Sequence, residues 1–300
     1  MASIICGSLA FDTIMNFEGR FAEQILPDQL HILNVSFLVP ALRRDFGGCA
    51  GNIAYALKLL GGTPLPMAMI GSDGGNYLAR LEGQGISTEF VKTIATAYTA
   101  QAMIITDRDN NQINGFHPGA MDYAHLTSIT ARDDIKLGII APDGRDAMWQ
   151  HAEQFSAAKI PFVFDPGQQL PRFDGTELRS LVDQASWVTV NDYEGKMLSE
   201  RTGWSYAEVS RRVRGLIVTL GAQGSEVWVA GEKSEIPAVK AKALVDPTGC
   251  GDAFRGALLY GLEQDWSLAR CAALGSQLGS LKIAQQGPQN YTLDRQLLGL

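Results

Sequence analysis

The chain is poor in cysteine and has no clustered positive charge. Its 300 residues include four cysteines, Cys6, Cys49, Cys250 and Cys271, and no CxxC pair. Neither a zinc site nor a disulfide framework is indicated, and reduced thiols in the cytoplasm are expected. Lysine and arginine number 25 against 32 aspartate and glutamate residues, which gives a net charge of −7. An acidic chain without long basic runs argues against nucleic acid as a partner, although a small phosphorylated ligand is compatible with it.

Other features are missing altogether. No GxxxxGK[ST] motif occurs, which excludes a P-loop mechanism at the level of motifs. Near the start of the chain, "SIICGSLAFD" is an apolar stretch too short to span a membrane, and no basic run precedes it. We therefore expect no signal peptide, no membrane partner and a cytoplasmic location.

Apolar strands alternate with helical segments over most of the chain. Examples of the predicted strands are "MAMIG", "KLGIIAP", "IPFVFDP", "SWVTVND" and "GLIVTLG". This alternation predicts an α/β fold with a mostly parallel sheet covered by helices on both faces. Two segments, about 13–39 and 93–118, instead carry alternating or β-branched residues around the turn-like "TDRDNNQ". We interpret them as a small antiparallel β lid on a single domain spanning residues 1–300.

The stretch "DPTGCGDAFRGALLYGL", residues 246–262, combines a glycine turn with an amphipathic helix. Phe254, Ala257, Leu258, Gly261 and Leu262 repeat at helical spacing, so the helix begins close to Gly249, Cys250 and Gly251. Free backbone N–H groups and the helix dipole at such an end favour negative charge. The alternative is an ordinary turn in which Asp252 only stabilises the first helical turn.

Further polar residues follow predicted strands, where ligands bind in open α/β sheets. They occur in "GSLAFD" (Asp12), "GGCAGN" (Gly47, Gly48, Asn52), "NDYE" (Asn191, Glu194) and "TLGAQG" (Thr219, Gly221, Gly224). Each has a purely structural alternative, such as a turn, a hairpin or a capping box. Their shared location favours one ligand site.

These residues also carry a resemblance to a known family. "FGGCAGNIAYALKLLGG" and "DPTGCGDAF" resemble, in order and separation, the two signatures of the ribokinase-like (PfkB) sugar and nucleoside kinases. The likeness covers essentially the whole chain and implies the ribokinase-like form of the α/β fold. The segments "GRFAEQILPDQLHILNVSFLV" and "FHPGAM" resemble bacterial adenosine kinases more than ribokinases or fructokinases.

The resemblance implies ATP-dependent phosphorylation of an alcohol. Asp252 would accept the proton of the acceptor hydroxyl, and the amides of Gly249, Cys250 and Gly251 would hold the developing negative charge. The family's NxxE motif corresponds to Asn191 and Glu194, which order Mg²⁺ and phosphate through water. Thr219, Gly221, Gly224 and Gly251 would line the ATP side. A monovalent cation, K⁺, near Asp246 is common in the family.

On the acceptor side, Asp12 and Asn52 suit a sugar diol, because a carboxylate accepts two O–H bonds and a carboxamide both donates and accepts. Gly47 and Gly48 would let the backbone approach the sugar closely. By the adenosine kinase resemblance, Ser8, Ser36 and Gln169 join the pocket and Phe116 stacks on the base. Where some bacterial adenosine kinases have a second aromatic, this chain has Gln101, Ala102 and Met103.

The predicted activity is therefore phosphorylation of a nucleoside 5′-hydroxyl, with adenosine giving AMP. The alternatives are another nucleoside, such as inosine or guanosine, a simple sugar acceptor, or a non-catalytic binder of the same fold.

Two more expectations concern the lid and Cys250. The lid strands offer an apolar edge that a second copy would cover, which predicts a homodimer. Cys250 stands where the family usually has alanine. The helix dipole lowers the pKa of such a thiol while the nearby Asp252 raises it, and we expect the dipole to prevail and the thiol to be reactive.

Overall fold

Buried apolar segments form a large central sheet in the computed structural model, which describes residues 1–32 and 34–300. The strands, in chain order, are β1 (Ala2–Cys6), β2 (Ala10–Asn16), β3 (Ala41–Gly47), β4 (Thr63–Gly71), β5 (Val91–Ile94), β6 (Ala100–Thr106), β7 (Gln112–His117), β8 (Ile135–Ile140), β9 (Phe162–Phe164), β10 (Trp187–Asn191), β11 (Gly215–Thr219), β12 (Ser225–Val229) and β13 (Glu232–Ile236). The α-helices are α1 (Phe21–Gln24), α2 (Cys49–Leu59), α3 (Gly75–Gly83), α4 (Arg145–Ala158), α5 (Gly175–Gln184), α6 (Asp192–Thr202), α7 (Tyr206–Arg212), α8 (Cys250–Glu263) and α9 (Leu268–Lys282).

The central sheet has the strand order β13-β12-β11-β10-β9-β8-β1-β4-β5. All pairings from β5 to β11 are parallel, and only β12 and β13 run antiparallel at one edge. Strand β1 lies between β4 and β8, so the strand order reverses there. In an open parallel sheet, such a reversal opens a crevice at the carboxyl ends of the strands. The predicted α/β fold class is confirmed.

Two layers of helices cover the sheet. One core packs Phe155 of α4 with Leu178 and Leu181 of α5. On the other side, Ile53 of α2 and Leu258 of α8 belong to a second core. Full burial on both faces explains why the central strands are continuous apolar runs rather than alternating ones. None of the described helices combines the length and apolar character needed to cross a membrane.

A second, smaller sheet has the order β3-β2-β6-β7 and forms the lid. Its outer pairings, β2 with β3 and β6 with β7, are antiparallel, whereas β2 and β6 pair in parallel. The central pairing is parallel because each strand leads away from the large sheet, β2 after β1 and β6 after β5. The turn predicted at "TDRDNNQ" is confirmed as the connection between β6 and β7.

The lid bounds differ from the predicted segments. Strand β3 begins at Ala41, after the first segment ends, and β5 places residues 91–94 in the large sheet, where they pair with β4. Leu33, in the first predicted segment, lies outside the described residues.

Candidate active site

Asp252 lies in the first turn of α8 and is held by an amide network. Asn52 of α2 donates from Nδ2 to Asp252 Oδ2 at 2.8 Å, and its Oδ1 accepts from Gln289 Nε2 at 3.0 Å. The same Gln289 nitrogen donates to the Tyr77 hydroxyl at 2.8 Å, and that hydroxyl donates to the Gly47 carbonyl at 2.6 Å. This network fixes the Asp252 carboxylate through hydrogen bonds from α2, α3 and the C-terminal segment. Asn52, predicted on the acceptor side, therefore also orients Asp252.

The Asp252 carboxyl group has a raised pKa. Burial raises the pKa of Asp252 to about 6, while the hydrogen bond from Asn52 and the charge of Arg255 oppose that rise and Asp165 adds to it. The residue still keeps some contact with solvent. A carboxyl group with this pKa is mostly ionised at neutral pH and can accept a proton from a hydroxyl.

An ion pair that the sequence did not predict lies behind this carboxylate. Arg255, three residues after Asp252 on the same helix face, binds Asp165 through two bonds, Nε to Oδ2 at 2.9 Å and Nη2 to Oδ1 at 3.1 Å. Both side chains are almost fully buried. Bidentate pairing fixes the guanidinium plane and places a permanent positive charge beside the candidate base. The sequence shows Arg255 three residues after Asp252 on the same helix, but no local pattern shows its pairing with Asp165.

The loop before α8 is tightly turned. Gly249 adopts φ +78°, a left-handed conformation suited to glycine, and a Cβ there would lie 2.6 Å from Pro288 Cβ. The Cys250 N–H already donates to the Pro247 carbonyl at 3.1 Å. Within the described chain, no acceptor is recorded for the N–H groups of Gly249 and Gly251. Two of the three predicted amide donors are therefore free for a ligand.

The Cys250 thiol is not the activated thiol that we expected. Burial raises its pKa, Asp246 and Asp252 raise it further, and the opposing charge of Lys282 does not reverse the shift. Its Sγ lies 3.9 Å from the Gly279 carbonyl oxygen, packed against α9. The expectation of a lowered thiol pKa was wrong, because burial and the neighbouring carboxylates Asp246 and Asp252 raise the pKa of Cys250.

Asp12 of β2 lies on the same side of the cleft. Burial raises the pKa of Asp12 to about 6, and the neighbouring carboxylates Asp45, Asp252 and Asp246 add to the shift. A Cβ at Gly47 would collide with the Asp12 carboxylate, and one at Gly48, with φ +83°, would collide with the Ser8 carbonyl. These two glycines therefore allow close approach within the protein, and their predicted contact with a sugar stays a prediction.

Phe116 belongs to one row of the lid sheet with Asp12. Asp12 pairs with Ala102, and Ala102 pairs with Phe116. Residues in one such row project from the same face of a sheet. Phe116 is 55% exposed, so its ring is available to a ligand on the face that carries Asp12.

The remaining predicted acceptor residues differ in their surroundings. Ser8 is buried, and its Oγ accepts the Cys49 N–H at 3.2 Å at the start of α2. Gln169 is buried after β9, where its Oε1 accepts from Arg172 Nη1 at 3.4 Å. Ser36 is exposed in the connection from β2 to β3 and makes no recorded bond to the described site residues. Ser8 thus lies at the start of α2, and the assignment of Ser36 to the acceptor pocket stays a prediction.

The predicted nucleotide side follows β10 and β11. Asn191 and Glu194 form a capping box at the start of α6, with Asn191 N to Glu194 Oε2 at 2.8 Å and Glu194 N to Asn191 Oδ1 at 2.7 Å. Thr219 pairs with Asn191 across the two strands. A short turn over Gly221–Gln223 follows, and Gly224 adopts φ +96°. The capping role is thus present, and Glu194 Oε1 makes no recorded protein bond within the described chain.

Burial raises the pKa of Glu194, and the charge of Asp165 adds to this shift while Arg255 opposes it. Asp165, the partner of Arg255, follows β9, and Glu194 follows the neighbouring parallel strand β10, so both lie at the same edge of the sheet. The candidate base Asp252, the glycine loop before α8 and the NxxE segment after β10 therefore lie at one edge of the central sheet.

This arrangement matches a known family along nearly the whole chain. Residues 11–295 match the pfkB family of carbohydrate kinases. The chain belongs to this kinase family. The predicted family is confirmed, and with it the ribokinase-like form of the fold.

Among its relatives, a nucleoside kinase of Methanocaldococcus jannaschii is 30% identical over 96% of this chain and 93% of its own. The structure of a Burkholderia thailandensis nucleoside kinase in complex with inosine has 51% identity and a TM-score of 0.88, over 98% of this chain and 94% of that chain. An adenosine kinase from Sinorhizobium meliloti, at 21% identity and a TM-score of 0.78 over 99% of this chain and 98% of that one, shares the fold alone.

Proposed function

We propose that this pfkB kinase is an ATP-dependent nucleoside kinase of the cytoplasm, which phosphorylates the 5′-hydroxyl of its acceptor. The observation that carries the proposal is the row of the lid sheet containing Asp12 and Phe116. It presents a carboxylate for a sugar diol and an exposed aromatic ring for a base on one face. A simple sugar has no use for the ring, whereas a nucleoside uses both groups.

In the proposed reaction the acceptor oxygen attacks the γ-phosphorus of ATP, and the bond from phosphorus to the ADP oxygen breaks. Asp252 takes the hydroxyl proton. The free N–H groups of Gly249 and Gly251, at the start of α8, stabilise the charge on the transferred group. Arg255 keeps Asp252 ionised, because a positive charge nearby favours the carboxylate.

Magnesium is the cofactor implied for the nucleotide. Within residues 1–32 and 34–300, no cluster of three or more His, Cys, Asp or Glu side chains could hold a metal ion. This fits Mg²⁺, which usually keeps several waters and binds through substrate phosphates and one or two carboxylates. Glu194 would hold such a water, and the bound ion would neutralise phosphate charge.

Adenosine is the predicted acceptor, and inosine is the second candidate because the 51% identical relative binds inosine. Ala102 lies between Asp12 and Phe116 in the lid row. Its small side chain leaves the base stacked on one ring only, which favours tolerance among purines over strict selection of adenosine.

A panel of adenosine, inosine, guanosine, ribose and fructose tests the proposal. We expect a nucleoside to give the highest kcat/KM, and Phe116→Ala to raise KM for nucleosides without changing KM for ribose. His117→Ala, next in β7 but on the opposite face, is the matched control and should leave both unchanged. If ribose or fructose is the best substrate, the chain is a sugar kinase. Binding of a nucleoside without any phosphorylated product would instead indicate a non-catalytic binder.

We further propose a homodimer through the lid. Leu42, Met15, Ile105 and Ile113 form a row on the lid face opposite Asp12, and Leu42 and Ile113 are 63% and 42% exposed. A second copy would cover these apolar side chains. Light scattering should give about twice the 32.4 kDa mass of one chain. Leu42→Asp should give the single-chain mass, while Val239→Asp, at an exposed position between β13 and α8, should not.

A further inference from the structure

Lys282, the last residue of α9, is completely buried. Its Nζ donates to the main-chain carbonyl of Asp246 at 2.7 Å and to that of Gln285 at 3.3 Å. The Asp246 carboxylate is farther away, with Oδ1 at 4.0 Å from Nζ. A lysine is almost never fully buried without a partner. Here the partners are carbonyl oxygens, the ligand type that proteins offer to a bound cation.

The ammonium group holds the start of the loop that leads to Gly249 and Gly251. The N–H groups of Val245 and Asp246 both donate to the Ile283 carbonyl, at 2.8 and 3.1 Å. The part of the loop directly before Gly249 is held by the Asp246 carboxylate.

That carboxylate accepts from the Thr248 N–H and the Gly287 N–H, each at 2.9 Å, and Arg43 Nη2 lies 3.6 Å away. Burial raises the pKa of Asp246, but these hydrogen bonds and the charge of Lys282 bring it below its usual value. The carboxylate is therefore already surrounded by donors and positive charge.

The K⁺ implied by the family resemblance does not fit these residues. A monovalent ion beside Asp246 would compete with the Lys282 ammonium for the carbonyls of Asp246 and Gln285, and it would face a like charge in a buried place. Two positive charges in a site of low polarity repel strongly.

We propose that the Lys282 ammonium is a built-in cation that takes the place of the monovalent ion, so that the anion-binding loop is formed without K⁺. Lys282 is a positioning residue, because it acts on Gly249 and Gly251 through the loop. The activity part of this inference rests on the proposed kinase function, whereas its thermal part does not.

The test compares KCl and NH₄Cl with tetramethylammonium chloride, whose cation is too large for the site, at equal ionic strength. For the wild type, we expect Tm and kcat to be the same in all three salts. A specific increase of kcat or Tm by K⁺ in the wild type would overturn the proposal.

Two variants complete the test. Lys282→Ala opens a space at the carbonyls and leaves them unpaired, so Tm should fall by about 5–10 °C in tetramethylammonium. It should also lose about tenfold or more in kcat, since a small misplacement of charge-stabilising groups is costly. We expect added K⁺ or NH₄⁺ to restore the Tm and the kcat of Lys282→Ala in a saturable way, because a cation can enter the space left by the side chain.

Lys282→Met is the matched control, because its side chain fills the space without charge, and it should show no recovery. If Lys282→Ala had the same Tm and kcat as the wild type in tetramethylammonium, the proposal would be contradicted. If no acceptor is phosphorylated at all, the proposed function fails, and the thermal data on wild type and variants still decide the role of Lys282.

Discussion

Replacing Arg255 by methionine should shift the pH dependence of kcat to higher pH. The candidate base Asp252 must be ionised to accept a proton, so kcat rises with pH through its pKa of about 6. Arg255 lowers that pKa, and its partner Asp165 raises it. Removing Arg255 takes away the charge that lowers the pKa of Asp252 and leaves the Asp165 charge that raises it. Both effects therefore raise the pKa of Asp252 in the variant.

The expected size of the shift is the usual effect of one nearby charge. An opposite charge within about 4–6 Å lowers a carboxyl pKa by about 1–3 units. The pKa of Asp252 in the variant should therefore reach about 7 or more. At pH 7 the ionised fraction falls from about nine tenths to about half or less, and kcat falls with it. Above about pH 8.5, most of the lost activity should return.

The assay is kcat against pH at saturating acceptor and ATP. Asp165→Asn removes the like charge and should shift the acid limb in the opposite direction, to lower pH. Breaking a buried pair costs about 3–5 kcal/mol, so the Tm of each variant is measured alongside. Glu263→Gln alters another buried carboxylate, at the far end of α8 where it accepts from Ser3, and should leave the profile unchanged. A uniform loss of kcat at all pH values in Arg255→Met would refute the electrostatic role.

Three further predictions concern single side chains. Asp12→Ala should raise KM for the acceptor about tenfold or more, because charge-assisted bonds contribute roughly 1.5–3 kcal/mol each, while KM for ATP stays constant; the reverse pattern in initial-rate kinetics would place Asp12 elsewhere. Ala102→Phe should lower KM for a nucleoside about fivefold through stacking, which contributes about 1 kcal/mol, and leave ribose unaffected; equal effects on both would contradict the stacking geometry. Cys250→Ala should keep kcat, and iodoacetamide at pH 7 should inactivate wild type and variant equally slowly, because burial raises the thiol pKa; rapid inactivation of the wild type alone would show an activated thiol.

The sequence predicted the features that depend on local patterns. Phe254, Ala257 and Leu258 repeat at helical spacing, and the observed helix α8 spans Cys250–Glu263. The continuous apolar strands identified a parallel sheet, because only strands buried on both faces lack alternation. Asp252 could be singled out because its motif is contiguous.

Features formed by distant residues could not be predicted. Arg255 and Asp165 are 90 positions apart, and only the fold brings them together. The parallel pairing of β2 with β6 depends on how both strands leave the large sheet, and no local pattern encodes that. Lys282 is the last residue of an amphipathic helix, a position where many lysines are solvated. The sequence therefore does not indicate that its side chain is buried. For Cys250, two opposing electrostatic effects could be named, but only its packing shows that desolvation prevails.

The most direct test of the proposed mechanism is the turnover of Asp252→Asn with the best acceptor of the panel. The substitution keeps the size of the side chain and a partner for Asn52, so the fold and ATP binding should be retained, as checked by Tm and by titration with ATP. If Asp252 is the base, kcat falls by about 100-fold or more, the usual effect of removing a general base. A variant that keeps more than about a tenth of the wild-type kcat would contradict the assignment of Asp252 as the base.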